Sequence, residues 1–189
     1  MARWAPDTAQ RLQSAAMAMF IETGFHEVTV AEIAARADVS ERTFFRHFPT
    51  KEDVLFSDGD YLLGEIISAI RNAPAAATPS ELVGAAMTRL TDLFEPNRAK
   101  HRQRSSIIES EPALRERDLL KQSVWAAAIV AELQTRKIEP VRAAALAGAA
   151  TAGFRAAFND WIRTKSKQTL ADRVDVVLQQ LASDLRSRA

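Results

Sequence analysis

Residues 29–52 read TVAEIAARADVSERTFFRHFPTKE, and this stretch decides the fold. Thr29 and Glu32 stand three residues apart at its start, which is the spacing of a capping box that opens a helix. Ser40 is a good N-cap for a second helix, and Pro49 ends that helix. Phe44 and Phe48 lie four residues apart and give the second helix one buried edge. The stretch therefore predicts two short helices joined by a tight turn.

Two short helices joined in this way are what a helix-turn-helix DNA-binding motif requires, although a plain helical hairpin within a bundle is the structural alternative. The second helix enters the major groove while the first packs behind it, so the second needs one buried edge and a polar N-terminal end. Glu41, Arg42, Thr43 and Arg46 are free to face outward here. The spacing therefore favours a recognition helix.

The rest of the chain reads as helices, and no strand pattern appears. Helical spacing, caps and prolines place them at about residues 8–23, 50–72, 79–94, 97–109, 112–137, 140–165 and 170–187. We therefore expect an all-α protein. Its predicted division is a helix-turn-helix domain over residues 1–50 and a larger helical domain over 51–189, with the helix 50–72 connecting them.

Composition excludes several classes of function. The chain has 189 residues and no Cys, so it has neither a thiol nucleophile nor a disulfide. Spacing leaves His26 and His47 open as a metal pair, but the sequence places no third ligand near them, and no catalytic or phosphate-loop motif is present. We therefore expect no enzyme, no cofactor and no metal. No apolar run reaches the length of a membrane span or forms a secretory signal, which predicts a cytoplasmic protein without a membrane partner.

Bulk charge gives no support to DNA binding. Residues 1–60 contain six Lys and Arg against ten Asp and Glu, a net charge of −4, whereas residues 61–189 carry +5. A basic N-terminal region would have supported a nucleic-acid partner. The DNA-binding interpretation therefore depends on the motif alone.

The motif resembles the N-terminal domain of TetR-type transcriptional regulators over residues 8–56. The matching residues are Phe20, Gly24, Thr29, Val30, Ile33, Ala34, Ala37, Val39, Ser40, Thr43, Phe44, His47, Phe48, Lys51 and Glu52. The resemblance implies a regulator, commonly a repressor, whose helical C-terminal half binds a small molecule and forms a dimer. Beyond residue 60 the similarity is one of architecture and length only.

The resemblance and the motif together give a set of candidate DNA-binding residues: Thr29, Ser40, Arg42, Thr43, Phe45, Arg46, His47 and Lys51. We expect Arg42 and Thr43 to contact bases, and His47 and Lys51 to contact phosphates. The family usually carries Tyr at the position of Phe45, and its hydroxyl generally bonds a backbone phosphate. Phe45 cannot make that bond, but it can pack against a sugar or a thymine methyl group.

The larger domain offers candidates for a mainly apolar effector. Trp125, Phe154 and Phe158 are candidate wall residues, and Arg104, Arg155 and Asn159 are candidate polar contacts. Core packing is the competing interpretation for the aromatic residues, and pairing with a carboxylate such as Glu109 or Asp160 is the competing interpretation for the arginines. The basic cluster Arg98, Lys100, His101, Arg102 and Arg104 reads as a solvated face or, less readily, as a site for an acidic headgroup.

The last two helices predict a homodimer interface. Small residues that allow close helix approach are Ala145, Gly148, Ala149, Ala152 and Gly153, and the final helix carries Val174, Val177, Leu178, Leu181 and Leu185 at core spacing. Packing within one chain is the alternative for this stripe.

For the whole protein, the alternatives to a DNA-reading regulator are a helical adaptor that does not read DNA and a small helical enzyme.

Overall fold

The computed structural model describes residues 7–186, and side chains from 8 to 184. The described residues form ten α-helices and no strand, which confirms the all-α prediction. The helices are α1 Asp7–Thr23, α2 Val30–Arg36, α3 Glu41–His47, α4 Asp53–Phe56, α5 Gly59–Asn72, α6 Pro79–Phe94, α7 Arg98–Ser110, α8 Pro112–Thr135, α9 Pro140–Arg163 and α10 Leu170–Arg186. A 3₁₀ turn at Glu95–Asn97 precedes α7. None of these helices is both long and apolar enough to cross a membrane.

The single connecting helix predicted over residues 50–72 is wrong. The structure has two helices there, α4 and α5, which are separated by Ser57 and Asp58. Ser, Asp and Gly in succession are poor helix formers. The hydroxyl of Ser57 donates to the carbonyl of Val54 and so competes with the backbone hydrogen bonds that would continue the helix. The Gln13 side chain of α1 also donates to the Ser57 hydroxyl over 3.0 Å.

The chain divides into two compact units. The first contains α1 to α4 together with residues 103–116, and the second contains residues 59–102 and everything after 116 that the structure describes. The core of the first unit is formed by residues such as Leu12, Phe20, Ile33 and Phe44, and Ile107, Ile108 and Leu114 of the later segment complete it. The first unit therefore includes a stretch that lies far along the chain.

The second unit buries one face of each of α5, α6, α8, α9 and α10. Ile66, Leu82, Ile129, Leu133 and Trp161 are among its fully buried side chains. The buried carboxylate of Glu132 pairs with Arg71 of α5 through two hydrogen bonds of 2.6 and 2.9 Å. That pairing supplies the partner that a buried charge requires.

Arginines cap the carbonyl ends of helices in this unit. Arg98 donates to the carbonyls of Trp161, Thr164 and Ser166 at the end of α9, and its guanidinium lies 5.2 Å from the Trp161 ring centroid. Arg102 donates to the carbonyl of Ile162. The last carbonyls of a helix have no partner within the helix, and the negative end of the helix dipole favours a cation there.

Replacing Arg98 by Ala should lower the free energy of unfolding by about 2 to 3 kcal/mol, since hydrogen bonds to a charged group contribute about that much. Urea unfolding followed by circular dichroism measures it. Lys165→Ala, at an exposed position near the same helix end, is the matched control and should stay within about 0.5 kcal/mol of the parent protein. Equal stabilities for the two variants would contradict the capping role.

Candidate nucleic-acid interface

The turn between α2 and α3 is defined by hydrogen bonds at both of its ends. Ala37 and Val39 donate backbone N–H groups to Ile33 and Ala34, which closes α2. Asp38 adopts a positive φ of 53°, a conformation that Asp tolerates better than most residues. The hydroxyl of Ser40 then accepts from the backbone N–H of Thr43 and starts α3. The predicted caps at Thr29 and Ser40 both form in the structure.

Helix α3 has one buried edge and one exposed face. Phe44 is 0% exposed and Phe48 is 5% exposed within the core of the first unit. Arg42 and Arg46 lie on the opposite face and are exposed, and Phe45 is 51% exposed. Thr43 and His47 are half-buried. Six of the eight predicted DNA-binding residues, from Ser40 to His47, therefore lie on one seven-residue helix and its cap.

Thr29 and Lys51 are engaged within the protein. The backbone N–H and the hydroxyl of Thr29 both donate to Glu32, and these bonds hold the pKa of the Glu32 carboxyl below its ordinary value. The ammonium of Lys51 donates to the carbonyls of Phe25 and Val28 over 2.7 and 2.8 Å, and it lies 4.3 Å from the Phe25 ring centroid. The geometry thus gives Lys51 a structural role, and its phosphate contact stays a prediction.

Two contacts that position the motif have no signal in the local sequence. The guanidinium of Arg11, on α1, donates to the carbonyls of Ala37 and Asp38 in the turn. Arg36 of α2 forms a bidentate pair with Glu22 of α1, with hydrogen bonds of 2.6 and 2.8 Å. Each contact joins residues at least 14 positions apart, so no helical spacing reveals it.

The predicted effector residues fall into different surroundings. Phe154 and Phe158 stack with a centroid distance of 6.2 Å, and Phe94 meets both edge to face. His101 stacks on Phe94 at 4.5 Å, and Trp125 belongs to the same hydrophobic core. The three predicted wall residues are thus core residues of the second unit, and their contact with an effector stays a prediction.

The predicted polar contacts are more scattered. Arg104 belongs to the first unit, where its Nε atom donates to the carbonyl of Leu55 over 2.6 Å and its guanidinium lies 5.0 Å from the Phe56 ring centroid. The structure therefore does not group Arg104 with the aromatic residues of the second unit. Arg155 is exposed and Asn159 is half-buried on α9. Asp160, considered above as a partner for an arginine, pairs with Arg173.

Two of the surface hollows are lined entirely by residues that the structure describes. One, of about 530 Å³, is lined mainly by alanines between the end of α5 and the start of α6. The other, of about 680 Å³, lies beside Arg11 and Arg36 in the first unit. Neither is lined by Trp125, Phe154 or Phe158. No group of three or more His, Asp or Glu side chains that could hold a metal ion occurs among the described residues.

Comparison with protein-family models identifies the family. Residues 12–57 match the model of bacterial regulatory proteins of the tetR family, and residues 77–186 match that of the MftR C-terminal domain. The second match covers more than half of the chain. The chain belongs to the TetR family of DNA-binding transcriptional regulators. This confirms the resemblance stated over residues 8–56, and the family is one of regulators and not of enzymes.

Two curated relatives are similar over part of their length. The transcriptional regulator TcmR of Streptomyces glaucescens is 28% identical over 113 residues, which cover 57% of this chain and 50% of TcmR. MftR of Mycobacterium tuberculosis is 24% identical over 118 residues, which cover 62% of this chain and 60% of MftR. The chain thus spans about half to three fifths of the length of these two relatives.

A solved structure extends the likeness of fold to nearly the whole chain. FadR of Bacillus subtilis, crystallised with stearoyl-CoA, superposes with a TM-score of 0.62 at 19% identity. The match covers 91% of this chain and 96% of that FadR chain. At this identity the likeness concerns the fold, and it confirms a TetR-type helix-turn-helix unit followed by a helical C-terminal unit.

Lys51→Met should destabilise the protein by about 1 to 3 kcal/mol, since it leaves two carbonyls of the α1–α2 connection without their charged donor. Arg42→Ala removes an exposed cation of the same motif and should change stability by less than about 0.5 kcal/mol. Urea unfolding of both variants tests the assignment. The structural role of Lys51 is wrong if both variants are as stable as the parent protein.

Proposed function

We propose that this TetR-family regulator is a ligand-responsive repressor that binds a palindromic operator as a homodimer and releases it when an apolar effector binds. The exposed face of α3 carries the proposal. Burial of Phe44 and Phe48 leaves Arg42, Phe45 and Arg46 directed away from the core of the first unit. A helix with one anchored edge and an exposed polar face suits insertion into the major groove.

The charges of the motif favour base reading over general attraction to phosphates. The net charge of −4 in residues 1–60 weakens sequence-independent binding, which depends on neutralised phosphates. Arg42 stands in the first turn of α3, where a guanidinium can form a bidentate hydrogen bond with guanine. We therefore expect strong discrimination between operator and random DNA at moderate salt.

Arg42→Ala should reduce discrimination by about 1 to 3 kcal/mol at one base pair of each half-site, and Thr43→Ala should relax a neighbouring position. The measurement is fluorescence anisotropy with a duplex selected from a random pool and with single-base variants of that duplex.

Lys51→Met separates two roles of Lys51 in the same assay. Loss of a phosphate contact would lower the slope of log affinity against log salt by about one, whereas a purely structural role leaves the slope unchanged.

The same assay also tests whether the protein binds DNA at all. If the pool yields no enriched sequence and the protein binds no duplex, the chain is a helical adaptor rather than a DNA-reading regulator. Enrichment of a sequence without two-fold symmetry would contradict the palindromic operator. An enriched palindrome whose half-sites are a helical turn or a small multiple apart is the expected result.

Exposed small and apolar residues on α9 and α10 support the proposed homodimer. Ala145, Gly148 and Ala152 are exposed along one side of α9, with Ala149 half-buried beside them. Gly153 faces the other way, because a Cβ atom there would lie 2.8 Å from Cδ2 of Leu178. On α10, Val176 is 46% exposed and Leu181 is 36% exposed. The side chains that pack within the chain are those of Val174, Val177 and Leu178. The side chain of Leu185 lies outside the described residues.

Gly148→Arg should convert the dimer to a monomer, because a long charged side chain prevents the close approach that small residues allow. Nothing lies within 4 Å of a Cβ atom at Gly148, so the variant should fold. Gly64→Arg, on the exposed side of α5 and equally unobstructed, is the matched control. Light scattering at micromolar concentration should give about twice the 20.8 kDa chain mass for the parent and the control. A monomeric parent protein, or a dimeric Gly148→Arg variant, would reject the interface.

The proposed binding of an apolar effector is supported by the apolar interior of the second unit. It is also supported by the fold that this chain shares with FadR in complex with stearoyl-CoA. A thermal-shift screen of long-chain acyl-CoA thioesters and fatty acids, with coenzyme A alone as the control, tests it. A ligand at about 100 times its dissociation constant should stabilise the native state by about 2.7 kcal/mol and should also weaken operator binding. If no compound does both, this effector class is wrong while the DNA-binding proposal stands.

A further inference from the structure

Phe45 is a large apolar side chain held at the exposed surface of α3. Its ring is 51% exposed, and it meets the buried Phe44 edge to face, with a centroid distance of 5.6 Å and an interplanar angle of 83°. Phe44 is itself 0% exposed, so its ring is fixed in the core. The contact restricts the orientation of Phe45, so that little conformational entropy is lost when a partner covers the ring.

The neighbours of Phe45 place it in the surface that faces DNA in the proposed function. Arg42 stands three residues before it and Arg46 one residue after it, and both are exposed. Residues three apart are neighbours on a helix surface, so Phe45 and Arg42 lie on adjoining parts of one face. If α3 lies in the major groove, the Phe45 ring lies within the same groove.

The chemistry of the ring limits what it can contact there. It has no hydrogen-bond donor, and covering a phosphate with an apolar ring would remove water from a charge without replacing its hydrogen bonds. The base edges of the major groove carry hydrogen-bond donors and acceptors, with one apolar group among the four standard bases, the C5-methyl group of thymine. That methyl group is the partner that gains from contact with an exposed aromatic ring.

We propose that Phe45 is a specificity residue that selects thymine at one position of each half-site through its C5-methyl group. This inference rests on the proposed operator binding of α3. It also assigns a chemical preference that the guanidinium of Arg42 does not supply through hydrogen bonds, because the hydrogen-bonding pattern of uracil is the same as that of thymine. The methyl group alone distinguishes the two bases.

The experiment replaces each thymine of the selected duplex, one at a time, by deoxyuridine. Binding of the parent protein should weaken about threefold to fivefold at one position of each half-site, which is the effect of losing one buried methyl group. Phe45→Ala should weaken binding to the unmodified duplex and remove the difference between thymine and uracil at that position. Arg42→Ala, the matched control on the same face, should keep that difference.

A second substitution tests whether the methyl group is what is recognised. At the position that responds to deoxyuridine, the thymine–adenine pair is replaced by cytosine–guanine or by 5-methylcytosine–guanine. The parent protein should bind the methylated pair about threefold to fivefold better than the unmethylated one, and Phe45→Ala should bind the two equally.

Several outcomes would overturn the assignment. One is a selected half-site without thymine, and another is a deoxyuridine effect of the same size in the parent protein and in Phe45→Ala. A Phe45→Ala loss with no deoxyuridine effect at any position assigns the ring to a sugar instead. Failure of every duplex to bind is a different result, since it rejects the proposed function and not only the role of Phe45. Because Phe45 is half exposed, circular dichroism should show that the Ala variant is folded.

Discussion

The burial of Phe44 is the constraint from which the rest of the N-terminal unit follows. α3 has only seven residues, so it is too short to be stable without tertiary packing. Phe44 supplies that packing at 0% exposure, and Phe48 adds a second anchor one turn later. Once this edge is buried, the helix has no rotational freedom left, and Arg42 and Arg46 have to face outward. The same contact also holds the Phe45 ring at the surface.

Cations that bond backbone carbonyls are the second feature of the molecule. Arg11 and Lys51 donate to carbonyls of the connections on either side of α2. Arg98 donates to a carbonyl at the end of α9, and Arg136 donates to carbonyls at the end of α5, with a bond of 3.1 Å to Ile70. These contacts explain why the basic cluster of residues 98–104 is neither a plain solvated face nor an evident headgroup site. Three of its arginines, at 98, 102 and 104, are used to satisfy carbonyls within the chain.

The sequence was sufficient for the features that depend on local chemistry. Capping residues such as Thr29 and Ser40, together with the four-residue spacing of Phe44 and Phe48, predicted the motif because each acts within one helical turn. Features that join distant segments were not predictable: the capping of α9 by Arg98, the bonds from Lys51 to the α1–α2 connection, and the inclusion of residues 103–116 in the first unit. The break at Ser57 was missed because the apolar spacing continues on both sides of it.

DNA binding by the exposed face of α3 underlies the whole proposed function, and backbone amide NMR tests it directly. On titration with the selected operator duplex, the amide signals of residues 40–47 should shift, with those of Arg42 to Arg46 among the most affected. A scrambled duplex of equal length and base composition should leave these signals nearly unchanged at the same salt. Operator-induced shifts that leave residues 40–47 unaffected would contradict the account.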